Sequence, residues 1–487
     1  MKIKLLFIAF IGFWTGLSAQ EYRISLNYKP VSTKAYLYLG YYFGESKYLQ
    51  DSVLLEPDGT ATFSGKKKLT GGLYLIIDPE KKSYFDLLID QEQTFHINID
   101  TSDFTIASIT GSSETQDLES YKKTTARIFK QLPVLQKELA QAKNRSDSLS
   151  IQKKINAAFE EAQEWREQFI QQHPDSYLSL LFRLMKEPVF KPGPGASRTD
   201  SILAYQNYKK QYWEGIPIGD ERLLRTPVFE QRLNRYMEQV IRNPDTLKLE
   251  VDRFILSSRG SETMFKYYIN RFTNEYMNPK YMGLDVVFLH LFEKYYLTNQ
   301  VTWLSDKDRE LVYNRAYSIM GNIIGEPAAE LNLLDTLDQK TYLYKIKSPY
   351  TILAFWDPDC GHCREQIPVM DSLFRTKWQQ HGITLIGILT DSVRTDKSKL
   401  PAVKESWKQF IQKHHLKGWL HWYQSFEMRE EEKKNNKPGF RQYYDVFQTP
   451  TLYLLDQDKR IIAKKINPQQ LDELLEIQRS KTNSKNK

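Results

Sequence analysis

The stretch WDPDCGHC, Trp356 to Cys363, holds two cysteines, and the chain of 487 residues has no others. A thiolate is a strong nucleophile, and a free thiol of pKa about 8.5 is shifted to somewhere in about 3.5–7.5 where unpaired backbone N–H groups at a helix start favour the anion. Two sulfurs separated only by Gly361 and His362 close almost no loop, so a covalent staple between them would stabilise little. Redox catalysis explains the pair better. Cys360 would attack, and Cys363, one helical turn later, would resolve the mixed disulfide. His362 would add partial positive charge beside them.

Such a site needs a strand that ends and a helix that begins at Cys360. YTILAF has the length of a buried strand, and EQIPVMDSLFRTKWQ after the cysteines reads as helix. From residue 322 to 480 the order of elements is strand, helix, strand (ITLIGIL), helix (403–416), strand (TLYLLD), strand (RIIAKKI) and helix, which is an α/β layer plan. The run REEEKKNNK reads as a solvated insertion.

Upstream, residues 20–111 carry six short aromatic or alternating runs separated by turn residues, which predicts an antiparallel β-sandwich-like domain. Residues 112–321 read as a helical domain. Ser113 and Gln116 fit a capping box at its start, and Ile151, Ile155, Ala158, Phe159, Ala162, Trp165 and Phe169 keep the spacing of one helical face. The Pro/Gly/Ser-rich EPVFKPGPGASRTDS interrupts it. The fold class is therefore multidomain: β, then α-helical, then α/β.

Lys2 and Lys4 precede the apolar run LLFIAFIGFWTGL, with Ser18 and Ala19 after it, so residues 1–19 read as an export signal and the mature chain as a soluble, periplasmic protein. In an oxidising compartment a structural framework would show several cysteine pairs. The net charge of +8 is mild and spread along the chain, which argues against nucleic acid as a partner; only the tail 481–487 is densely basic, and it reads as disordered. Adjacent His414 and His415 cannot complete a zinc site, and no metal or cofactor is called for.

WDPDCGHC after a buried strand, with QTPT downstream, resembles the thioredoxin superfamily. Residues 325–480 resemble its exported ResA/TlpA-type thiol-disulfide oxidoreductases, both in FWDPDCGHCREQIP and in the leading GEPAAELNLLDTLDQKTYL. The resemblance implies a thioredoxin-like fold, a dithiol at Cys360 and Cys363, support from Trp356, Gly361 and His362, Pro450 at the cis-proline position, and the Thr449 backbone offered to a substrate peptide. It also implies protein or peptide thiols and disulfides as partners, and a membrane electron donor that keeps the protein reduced. The motif CGHC matches that of protein disulfide isomerase, so reductase and isomerase both stay open. Peroxiredoxins carry Pro and Thr where this chain has Leu353 and Asp357, which argues against peroxidase chemistry.

The base that takes the Cys363 proton is not the familiar one. Ala354 stands where thioredoxin has a buried Asp, and Gln366 where the ResA/TlpA type has Glu. Glu365 should point away from the sulfurs, which leaves Asp357 and Asp359 as candidates. The rival reading is a binding or assembly protein with an inert CxxC.

Overall fold

A computed structural model of the chain describes residues 22–29, 35–100, 107–241, 243–390 and 398–485. The predicted signal, residues 1–19, lies outside them, as do residues 486 and 487 at the end of the predicted tail. The chain forms two compact units, 1–242 with 252–267, and 243–251 with 268–487. The division expected at residue 321 falls inside the second unit.

In the first unit, two four-stranded sheets face each other across one core. The strands are β1 (Tyr22–Lys29), β2 (Tyr36–Phe43), β3 (Ser46–Leu54), β4 (Thr60–Gly65), β5 (Gly72–Ile77), β6 (Tyr84–Ile89), β7 (Thr94–Asp100) and β8 (Ala107–Thr110). Their orders are β4-β1-β7-β8 and β3-β2-β5-β6. Inward residues of both sheets, including Ile24, Leu26, Leu39, Ile76, Leu87 and Ile97, make the core, as alternation places them on one face. The expectation of a wholly antiparallel domain needs correcting, because β1 and β7 pair in parallel from Arg23↔Thr94 to Lys29↔Asp100. A parallel pair requires a long crossover, and the whole second sheet supplies it.

The helical zone opens one residue earlier than the predicted capping box. Ser112 is the N-cap and accepts from the Thr115 N–H at 3.3 Å, while Gln116 instead donates to the Ile109 carbonyl at 2.7 Å. Helix Arg145–Gln172 buries Ile155, Ala162 and Phe169, whereas Phe159 is half exposed.

The second unit holds a seven-stranded mixed sheet. It comprises β9 (Asn332–Asp335), β10 (Lys340–Tyr342), β11 (Thr351–Trp356), β12 (Thr384–Leu389), β13 (Leu420–Tyr423), β14 (Thr451–Leu455) and β15 (Ile461–Lys464), in the order β10-β9-β13-β12-β11-β14-β15. β11 runs parallel to β12 and antiparallel to β14. All six residues of β11 are buried, so apolar cores cover both of its faces, one holding Ile352, Ala354 and Trp356 and the other Leu353 and Phe355. The run REEEKKNNK is largely helical, within Phe426–Lys434. Helix Pro468–Lys485 continues through most of the tail expected to be disordered. No Pro or Gly interrupts RSKTNSK, and each further residue adds a backbone bond to a helix already nucleated.

Candidate active site

β11 ends at Trp356, and after four intervening residues the helix Gly361–Leu373 begins, with Cys360 as its N-cap. The cap has extended backbone (φ −78°, ψ 125°) and no side-chain cap hydrogen bond, so the first N–H groups of the helix face the sulfur's surroundings. Two short bonds fix the connecting turn. Cys360 N–H donates to the Asp357 carbonyl at 3.1 Å, and Asp359 N–H to the Asp357 carboxylate at 2.9 Å.

Both cysteines are free thiols in different surroundings. Cys360 is partly exposed, and its thiol donates to the Thr449 carbonyl at 3.3 Å. Burial pushes its pKa up, but hydrogen bonds from the Thr449 side chain and from the Cys363 and His362 backbone outweigh that, and the net shift is downward. Cys363 is fully buried, and burial pushes its pKa up to about 12 despite the Asp357 N–H that it accepts at 3.5 Å. The pair is asymmetric in the sense a nucleophile and a resolver require.

Trp356 is wholly buried, with its ring 5.1 Å from Phe410. The Thr449–Pro450 peptide bond is cis. His362 and Gly361 are exposed on the first turn, and a Cβ at Gly361 would meet nothing within 4 Å, so the approach to Cys360 is open on that side. Asp357 is buried while Asp359 is exposed and pairs with Arg364 at 3.4 Å; Glu365 is exposed, as the helix register predicts. Leu353, at a position where a peroxidase site would carry a functional residue, is a fully buried core side chain. His414 stacks on Phe410 with centroids 4.2 Å apart.

Sequence reasoning missed Asp445, Arg315 and Ser318, which come together close to Thr449 in the chain although Arg315 and Asp445 are 130 positions apart. No local pattern marks them, since each alone reads as an ordinary polar residue.

Residues 324–464 match the AhpC/TSA family. The C-terminal domain is thioredoxin-like. Upstream of this thioredoxin-like domain, residues 22–118 match a domain of unknown function (DUF4369), and no curated protein matches the chain. Among solved structures, a thioredoxin-like protein from Bacteroides caccae is 18% identical, aligned over 56% of this chain and 93% of that one with a TM-score of 0.43. A domain of a possible thiol-disulfide isomerase from Cytophaga hutchinsonii is 32% identical over 34% of this chain and 97% of that one, with a TM-score of 0.26. A thiol:disulfide interchange protein from Bacteroides sp. is 20% identical over 32% and 90%, with a TM-score of 0.26. Among the described residues no helix is long and apolar enough to cross a membrane.

Proposed function

We propose that the chain is an exported thiol-disulfide oxidoreductase that reduces or isomerises protein disulfides through Cys360 and Cys363. The observation that carries this reading is the asymmetry of the two thiols, one partly exposed with a lowered pKa at a helix start, the other buried with its pKa near 12.

In the reducing direction the Cys360 thiolate attacks one sulfur of a substrate disulfide. A Cys360–substrate bond forms, the substrate S–S bond breaks, and the departing thiolate takes up a proton. Cys363 then loses its proton and attacks the Cys360 sulfur. The second substrate thiol leaves, two electrons have passed to the substrate, and Cys360 and Cys363 are joined. The order suits the electrostatics: the Cys360 thiolate helps hold the Cys363 pKa up, and that charge is gone once Cys360 is in the mixed disulfide. Pro450 and the Thr449 backbone form the wall against which a substrate peptide lies, and Trp356, Gly361 and His362 support and flank the dithiol. A membrane donor in the periplasm would return the electrons.

Cys363→Ser should trap mixed disulfides with native partners in the exporting cell, and Cys360→Ser should trap none. Equal recovery of partners by both variants supports the binding-protein alternative instead.

A further inference from the structure

The Thr449–Pro450 loop faces Cys360, yet much of what fixes the segment leading into it comes from outside the sheet. Asp445, four residues before Thr449, has a left-handed backbone (φ 49°) and a side chain only 1% exposed. A non-glycine residue in that conformation persists where its surroundings over-determine it. Here they do. Its carboxylate binds the Arg315 guanidinium and the Lys465 ammonium and accepts from the Ser318 hydroxyl at 3.0 Å.

Arg315 and Ser318 lie on the helix Asp306–Met320, which with the residues just after it also grips the neighbouring backbone. Ser318 Oγ also reaches the Gln442 carbonyl at 3.0 Å, and Asn322 Nδ2 donates to the Tyr443 carbonyl at 2.9 Å. Between them a Cβ on Gly321 would lie 2.9 Å from the Tyr443 carbonyl oxygen, so the helix end and the segment approach more closely than any residue but glycine allows. Asn322 is held in turn by Lys464, whose ammonium contacts the Asn322 carbonyl and side-chain oxygens at 2.8 and 2.7 Å. Arg315 also lies 5.9 Å from the centre of the exposed Phe447 ring, two residues before Thr449. Arg315, Ser318 and Asn322 all precede residue 324, where the AhpC/TSA match begins, so the clamp reaches the matched region from outside it.

We infer that Arg315 and Ser318 are positioning residues for the substrate-binding wall: through Asp445 they hold the segment that carries Thr449 and Pro450 against Cys360. The inference rests on the oxidoreductase reading for its consequence, and on geometry alone for the clamp. A peptide substrate that lies along Thr449 depends on the clamp. A small disulfide that needs only the Cys360 sulfur does not.

Full-length Arg315→Ala, Ser318→Ala and Arg315→Lys are compared with wild type by hydrogen exchange and by turnover of a disulfide-bonded peptide and of hydroxyethyl disulfide. Arg315→Ala should speed amide exchange in residues 442–449 by about tenfold with β11 still protected. It should raise KM for the peptide about fivefold while kcat and the hydroxyethyl disulfide rate stay within about twofold. Arg315→Lys should restore most of the peptide KM. Ser318→Ala, which removes one hydroxyl, should show the same pattern more weakly and keeps the test open if Arg315→Ala does not fold. Unchanged exchange in residues 442–449 in both alanine variants, or an equal loss on both substrates, overturns the inference. If wild type turns over neither substrate, the oxidoreductase reading fails, and the exchange rates still decide whether the clamp exists.

Discussion

The two sulfurs differ in how readily they ionise, because one sits at a helix start where hydrogen bonds lower its pKa and the other inside the core where burial raises it. Cys360, with its pKa below the ordinary thiol value, should react with iodoacetamide at a half-maximal pH below that of a free cysteine, about 8.5. Its rate falls as pH drops through the folded pKa, where the thiolate is lost. Cys363, with its pKa near 12, should stay unmodified at pH 7, so mass spectrometry of the reduced protein should find one label, on Cys360. Labels on both would mean the second sulfur is open to solvent. For the Cys363 proton, burial separates the two loop carboxylates: Asp357 is buried with its own N–H on the Cys363 sulfur, and Asp359 is exposed. Asp357→Asn should slow release of a mixed disulfide by about tenfold, within the usual range for a general base, and Glu365→Gln should change it little. Gln366→Glu should speed release near neutral pH. Rapid-mixing rates across pH check all three, and a large loss in Glu365→Gln would contradict the helix register seen here.

At the scale of elements, the junction of β11 with its helix was legible because both signals are local: a buried apolar run, then a helical period opened by CGHC. Elements whose signal is weak or distant were not. β3 is largely exposed along SKYLQDSVL and has no clean alternation, as an edge strand permits, and β13 is only four residues long. The grip of helix Asp306–Met320 on Asp445 lies beyond any local pattern, since it joins residues more than a hundred positions apart. That grip has a pH signature. Burial pushes the Asp445 carboxyl up, but hydrogen bonds and charge from Arg315 and Lys465 outweigh it and hold it below the usual carboxylate range. A depressed carboxyl stabilises the fold above its unfolded pKa and loses that contribution as pH falls through the folded one. Asp445→Asn should therefore cost about 2 kcal/mol at pH 7, by removing the carboxylate that Arg315 and the partly exposed Lys465 share, with the difference shrinking in acid. Thermal unfolding of both proteins between pH 7 and pH 3 measures it; a gap that widens in acid would refute the assigned pairing.

Across the whole molecule, the order of a β-sandwich, helices and an α/β domain could be read from composition and period, and the thioredoxin likeness of the last from its motifs, but the compact units could not. The last helices before residue 322 share a unit with the thioredoxin-like sheet. A shortened chain that begins at residue 322 lacks Arg315 and Ser318, and should melt below one that begins at residue 243 and show faster exchange in residues 442–449. Equal melting and exchange would mean that the helix merely rests on the domain. Among the described residues, those before 242 carry no set of acids, bases or thiols suited to this chemistry, and we propose that this region serves recognition or oligomerisation: its removal should spare turnover of small disulfides and reduce selectivity for the native partner. The central claim is that the chain exchanges disulfides through one attacking sulfur, and the most direct measurement is reduction of insulin by dithiothreitol with the mature protein as catalyst. Wild type should shorten the time to precipitation, Cys360→Ser should abolish the acceleration, and a Cys360→Ser protein as active as wild type would contradict the account.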